Sequence, residues 1–169
     1  MQNLTIRSIA THDLESIAAI YNHYIRHTAI SFEEVEVTIE QLAQRVDAVT
    51  SSSLPWLVAE LAGQVVGYAY AGKFHQRSAY RFTVEATVYL AHDMPGNGNG
   101  IGTQLYSELL AMLKRQDIHS IIGIIALPNP PSVALHEKFG FRKIGHFPEV
   151  GFKFNTWQDV GYWQVILEK

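Results

Sequence analysis

Four glycines alternate with small residues across Gly96-Asn97-Gly98-Asn99-Gly100-Ile101-Gly102-Thr103, and an amphipathic segment follows directly. Glycines admit positive φ and leave a run of backbone N–H groups unscreened by side chains. Behind them, Leu105, Leu109, Met112 and Leu113 recur at helical spacing. That spacing predicts a helix from near Thr103, its positive N-terminal end aimed into the glycine loop. A phosphate or pyrophosphate is the natural guest of such a cradle. A nucleoside triphosphate fits poorly, because no lysine between Lys73 and Lys114 completes a G-x-x-x-x-G-K-[ST] loop. A dinucleotide fits poorly too: its G-x-G-x-x-G fingerprint follows an early strand, whereas these glycines alternate and lie past the middle of the chain. A flexible turn without ligand is the alternative.

Candidates for proton transfer and carboxylate recognition lie elsewhere. From Arg81 to Leu90 the residues alternate, with Phe82, Val84, Ala86, Val88 and Leu90 on one strand face and Thr83, Glu85, Thr87 and Tyr89 on the other. A carboxylate at Glu85 on a central strand is either paired with Arg77 or Arg81 or part of an open site, and position alone leaves both readings standing. Arg77 and Arg81 could grip a substrate carboxylate bidentately or be plain surface charges. His23 and His27 share a metal-compatible i, i+4 spacing, but Tyr24 stands where H-E-x-x-H requires glutamate and no third ligand is evident, so no metal is expected. The chain contains no cysteine, which excludes disulfides, thiolate metal sites and a cysteine acyl-enzyme.

The elements that must position these groups read in order. Leu4 to Ile9 alternates as a strand, and Thr11 reads as the N-cap of a helix with Leu14, Ile17, Ala18, Tyr21, Tyr24 and Ile25 on its packed face. Thr38-Ile39-Glu40-Gln41 is a capping box for a second helix that buries Ile39, Leu42, Ala43 and Val46. Trp56 to Glu60 and Val65 to Ala71 read as a hairpin, before the strand that carries Glu85. After the glycine loop and its helix, Ile118 to Leu127 is a near-continuous aliphatic run, typical of a strand buried on both faces. A short helix from about Pro131 to Phe139 ends at Gly140, and Phe141 to Gly145 and Asp159 to Leu167 supply two final strands.

A chain of 169 residues, 47% hydrophobic and 17% charged, suits a single globular domain over 1–169. Its net charge of -3 offers no basic face, so a small molecule is favoured over nucleic acid or an anionic membrane as partner. The start lacks the charged-then-apolar pattern of a signal peptide, and a cytoplasmic location is expected.

The spacing of Asn97, Gly100 and Gly102 is similar to the Q/R-x-x-G-x-G/A pyrophosphate loop of the GNAT acyl-CoA-dependent N-acetyltransferases. The order of elements resembles the GNAT fold over essentially the whole chain. Three further motifs look like its phosphinothricin and methionine sulfoximine branch: Phe74-His75-Gln76-Arg77 leading to Glu85, Ser132 to His136 as S-x-x-L-H, and Gly151-Phe152-Lys153-Phe154 with Trp157 and Asp159. The resemblance implies an α/β (α+β) domain, with helices flanking a mixed, mostly antiparallel sheet of about six to seven strands. Its strands splay to hold acetyl-CoA. The chain departs from the branch at His75, where arginine is expected, at Asn97, and in a loop after Leu90 about two residues longer than usual. The first departure bears on substrate identity, and the other two bear on pyrophosphate contact.

The implied activity is acetylation of the α-amine of a small amino-acid analogue such as phosphinothricin, methionine sulfoximine or methionine sulfone, by direct attack in a ternary complex. Glu85 would be the general base, directly or through water, and partial burial would raise its pKa towards the working pH. The resemblance makes His136 the acid for the departing thiolate and Val88, Tyr89 and Leu90 the lining of the acetyl-CoA arm. Asn129 and Ser132 would meet the pantetheine, and the loop from Gly96 to Thr103 the pyrophosphate. On the acceptor side it implies Phe32, Phe74, His75, Gln76 and Arg77, together with Arg81, Thr83, Val84 and Lys153. A homodimer is implied, with Phe152, Phe154, Trp157, Tyr162 and Trp163 rich in interface-type aromatics. An acetyltransferase for another small amine and a non-catalytic CoA-binding sensor are the competing readings.

Overall fold

The computed structural model describes residues 4–94 and 100–168. The strands are β1 (Leu4–Ser8), β2 (Trp56–Leu61), β3 (Gln64–Lys73), β4 (Thr83–Leu90), β5 (Ser120–Leu127), β6 (Arg142–Lys153) and β7 (Thr156–Ile166). They form one seven-stranded sheet in the order β1-β2-β3-β4-β5-β7-β6. Neighbours are antiparallel except β4 and β5, which run parallel. Helices α1 (Leu14–His27), α2 (Ile39–Thr50), α3 (Ile101–Arg115) and α4 (Pro130–Lys138) flank it. The mixed, mostly antiparallel sheet expected from the sequence is therefore present. No helix among the described residues is long and apolar enough to cross a membrane.

Strand alternation feeds two cores. On β2, Leu57 and Ala59 face one way and join Ala69, Val84 and Ala86 beneath Leu105, Tyr106, Leu109 and Leu113 of α3. Trp56 and Val58 face the other way and join Tyr68 beneath Ile17 and Ile20 of α1 and Leu42 and Val46 of α2. This is the period-two division of a sheet covered on both faces.

Several boundaries differ from the sequence reading. Helix α3 begins at Ile101 rather than near Thr103, because Gly100 takes φ +79 as its N-cap and Ile101 already packs into the core. Thr11 does not cap α1: a 3-10 turn, Thr11–Asp13, intervenes, and the Asp13 carboxylate accepts the Ala10 N–H at 2.8 Å. The Thr38–Gln41 capping box is formed, at 2.9 and 3.2 Å. Ile39, however, is exposed, since α2 meets the sheet only from Leu42 onward. The C-terminal strands form one long hairpin rather than two short strands. Its turn residues, Phe154 and Asn155, adopt φ 53 and 57 without the glycine that usually announces such a turn. Trp163, expected at an interface, is buried in the core, and Tyr162 is half-buried against Phe147 at 5.2 Å.

Candidate active site

The site opens where the sheet comes apart. β4 pairs with β5 only from Thr83↔Ser120 to Glu85↔Ile122. Beyond that point β4 keeps to β3 as far as Gly67↔Leu90, while β5 keeps to β7 as far as Leu127↔Asp159. Each strand holds its antiparallel partner, so a gap opens between the two. Ala91 N–H donates to Val66 O on the β3 side at 2.9 Å. Strand alternation then turns the backbone groups of Val88 and Leu90 to the opposite edge, facing the gap. The Tyr24 hydroxyl donates to Leu90 O from that side at 2.7 Å. A cavity of about 700 Å³ fills the gap, lined by Glu85, Val88, Tyr89, Leu90, Ile124 and Ala126 among others. An extended chain of amides fits such unpaired strand edges, which is the chemistry of pantetheine.

Two helix starts converge on the same cavity. Gly102 lies on its wall in the first turn of α3, where backbone N–H groups lack intrahelical acceptors and the dipole is positive. Ile101 does not line the cavity, its side chain being core. Asn129 caps α4, its Oδ1 accepting Ser132 N–H at 3.3 Å, and both residues line the cavity. Thr103 Oγ1 accepts Lys138 Nζ at 3.3 Å and so ties α3 to α4. Gly96, Asn97, Gly98 and Asn99 lie outside the described residues.

Glu85 stands at the apex of the gap, on the last residue of β4 paired with β5. Among the described residues no ion pair engages it, so Arg77 and Arg81 do not hold it as a structural carboxylate. Burial pushes its pKa up, and the nearby His75 opposes that in part.

His136 lines the cavity but is only 3% exposed, its ring lying against Gly123, where a Cβ would stand 2.5 Å from the imidazole. Its Nδ1 sits 2.7 Å from Ser132 O, an acceptor only, so Nδ1 carries the hydrogen. Nε2 then accepts from the Tyr106 hydroxyl at 2.8 Å, and burial lowers the pKa of the ring. A neutral imidazole in this tautomer has no free proton to give, which works against the acid role expected from the sequence.

The expected acceptor residues fall into two groups. Phe32 lines the cavity together with Glu85. Phe74, His75 and Tyr80 form an aromatic group beside β4, with His75 4.2 Å from Phe74 and 4.9 Å from Tyr80. Gln76, Arg77 and Arg81 are exposed, and Arg81 lies over the Phe82 ring at 4.4 Å. Thr83 is half-buried, and Val84 points into the α3 core. Lys153 is buried, donating to Ser31 O at 2.7 Å. Sequence reasoning missed Tyr21, Tyr24, Glu33 and Tyr70 on the cavity wall. The i, i+3 tyrosines on α1 were the available signal, but helical periodicity reads them as packing.

A family model described as an acetyltransferase (GNAT) domain matches residues 6–161. Phosphinothricin N-acetyltransferase of Streptomyces viridochromogenes is 38% identical over 96% of this chain and 87% of its own length. An L-methionine sulfoximine/L-methionine sulfone acetyltransferase of Pseudomonas paraeruginosa is 34% identical over 97% of this chain and 95% of its own. A solved GNAT superfamily phosphinothricin acetyltransferase from Sinorhizobium meliloti, in complex with AcCoA, superposes with a TM-score of 0.92 at 35% identity, covering 97% of this chain and 88% of that one. With a splayed sheet, two helix starts on the gap and similarity along nearly its whole length, the chain belongs to the GNAT acetyltransferase family.

Proposed function

We propose that this acyltransferase moves the acetyl group of acetyl-CoA to the α-amine of a small amino-acid analogue of the phosphinothricin or methionine sulfoximine type. The observation that carries the reading is a half-buried Glu85, without an ion-pair partner among the described residues, at the apex of a gap whose β4 edge presents Val88 N–H. Acetyl-CoA supplies the activated thioester. Val88 N–H in this reading polarises its carbonyl oxygen. Glu85, directly or through water, takes one proton from the ammonium and frees the lone pair that attacks the carbonyl carbon. As the C–N bond forms and the C–S bond breaks, the nitrogen loses a second proton, which goes to the departing sulfur. His136 in this reading positions the cavity wall rather than donating a proton, and Asn129, Ser132 and the first turn of α3 orient the pantetheine and pyrophosphate.

Thiol release from acetyl-CoA, measured against a panel of amines, tests the reading. Release should depend on the amine and be fastest with phosphinothricin, methionine sulfoximine or methionine sulfone. Faster turnover of a different amine class overturns the acceptor assignment, and binding of acetyl-CoA without release under any condition favours a CoA sensor.

The reading includes a homodimer. Ile144, Phe147, Val150, Phe152, Phe154 and Trp157 of the β6–β7 hairpin are 50–58% exposed, an apolar surface that suits a second copy of the chain. Light scattering at micromolar concentration should give twice the chain mass of 19.0 kDa. A monomer at that concentration removes the dimer from the reading.

A further inference from the structure

The acceptor end of the cavity is walled by four consecutive residues, Ile30 to Glu33, in the connection between α1 and α2. This strap is tied down from three elements. From α2, the Arg45 fork grips the Glu33 carboxylate at 2.6 and 2.9 Å. From α1, the Tyr21 hydroxyl bonds Glu33 and lies 3.0 Å from Ser31 Oγ, which also accepts Glu33 N–H at 3.2 Å. From β6, Lys153 donates to Ser31 O at 2.7 Å while only 3% exposed. The Phe32 ring lies against Gly151 so closely that a Cβ there would stand 2.3 Å from it.

Neither Arg45 nor Lys153 lines the cavity. Burying an ammonium against one carbonyl and the Phe154 ring, 5.1 Å away, is a poor way to gain stability, and its better-attested return is a unique geometry. Bidentate guanidinium–carboxylate pairing likewise fixes orientation as well as distance. We propose that Arg45 and Lys153 are positioning residues that hold the Ile30–Glu33 strap in one geometry over the acceptor end of the cavity and so set which amines fit. The inference rests on the acyltransfer reading and deepens it. It assigns acceptor selectivity to Arg45 and Lys153, two cations outside the cavity.

The test separates the two substrates in the full-length protein, using the amine that the wild-type chain acetylates fastest. Arg45→Met should raise the KM of the amine ~10-fold through a displaced wall. The KM of acetyl-CoA should move by less than about 2-fold, because the gap between β4 and β5 is untouched. Arg45→Lys, which keeps the charge, should restore part of the loss, and Glu33→Gln should match Arg45→Met. The double variant should be no worse than either alone, because the pair acts as a unit. Hydrogen exchange at residues 30–33 should rise in Arg45→Met without a change along β4. An unchanged amine KM, or parallel increases for both substrates, overturns the clamp. No transfer by the wild-type protein to any amine overturns the acyltransfer reading, and the clamp with it.

Discussion

Glu85→Gln should lower kcat/KM by ~10²-fold or more at neutral pH, the usual scale for a positioned proton acceptor. The substitution keeps the shape of the side chain and the β4 backbone, so a large effect isolates the proton. Raising the pH should then rescue the variant. An α-amine has a pKa near ~8, so towards pH ~9 much of it is already unprotonated and the base has less to do. In the wild-type protein, activity should fall on the acid side as the pH drops through the value of Glu85, which burial has moved up from the ordinary carboxylate range. A pH–rate series on both proteins decides. Equal impairment of Glu85→Gln at every pH would make Glu85 a structural or substrate-positioning group and remove the base from the proposed chemistry.

The largest expected loss of stability comes from the far end of the sheet. Arg7 on β1 meets the Asp13 carboxylate with two bonds, at 2.7 and 2.8 Å, and reaches Glu60 at 2.8 and 3.0 Å. Asp13 is 1% exposed. Arg7→Met would leave that carboxylate buried without its cation and should cost ~3 kcal/mol. For a chain of this length the melting temperature should fall by roughly 6–12 °C. Hydrogen bonds from Arg7 hold the pKa of Asp13 below its ordinary value. The pair's stabilisation is therefore present above ~3.9, the unfolded value, and is lost as the pH falls through the depressed folded value. In the variant burial, the larger influence, outweighs the remaining Ala10 N–H bond and raises Asp13, so the deficit is greatest at neutral pH and narrows as the pH falls towards ~4. Thermal unfolding at neutral and mildly acid pH checks both parts. A melting temperature within about 2 °C of wild type at neutral pH would show that the Ala10 N–H, His12 and solvent suffice to accommodate Asp13.

Local signals in the sequence were enough for most elements. The capping box at Thr38, the alternation along β4 and the aliphatic run of β5 each specify structure from residues a few positions apart, and each element is present. What escaped depends on residues distant in sequence. Asp13 reads as an ordinary first-turn acid until Arg7 closes on it, a guanidinium that is itself held by Glu60, 53 residues from Arg7. His136 falls on the cavity wall as expected, but its Nε2 is occupied by the Tyr106 hydroxyl, 30 residues away on another helix. The β6–β7 turn was invisible because Phe154 and Asn155 carry no glycine. Glu33 and Arg45 look like unrelated surface charges, and only the crossing of α1 and α2 makes them partners.

The gap between β4 and β5 also bears on how the protein behaves as a colloid. Two strands whose peptide groups face a cleft without a strand partner are, physically, two edge strands, and free edges recruit strands from neighbouring chains. Here the edges lie inside the sheet rather than at its rim, flanked by the starts of α3 and α4. A ligand that satisfies those groups while binding only the folded state does two things at once: it adds stability by mass action and it withdraws an aggregation-competent surface. Keeping CoA or acetyl-CoA present through purification and storage is therefore a matter of solubility as much as of catalysis.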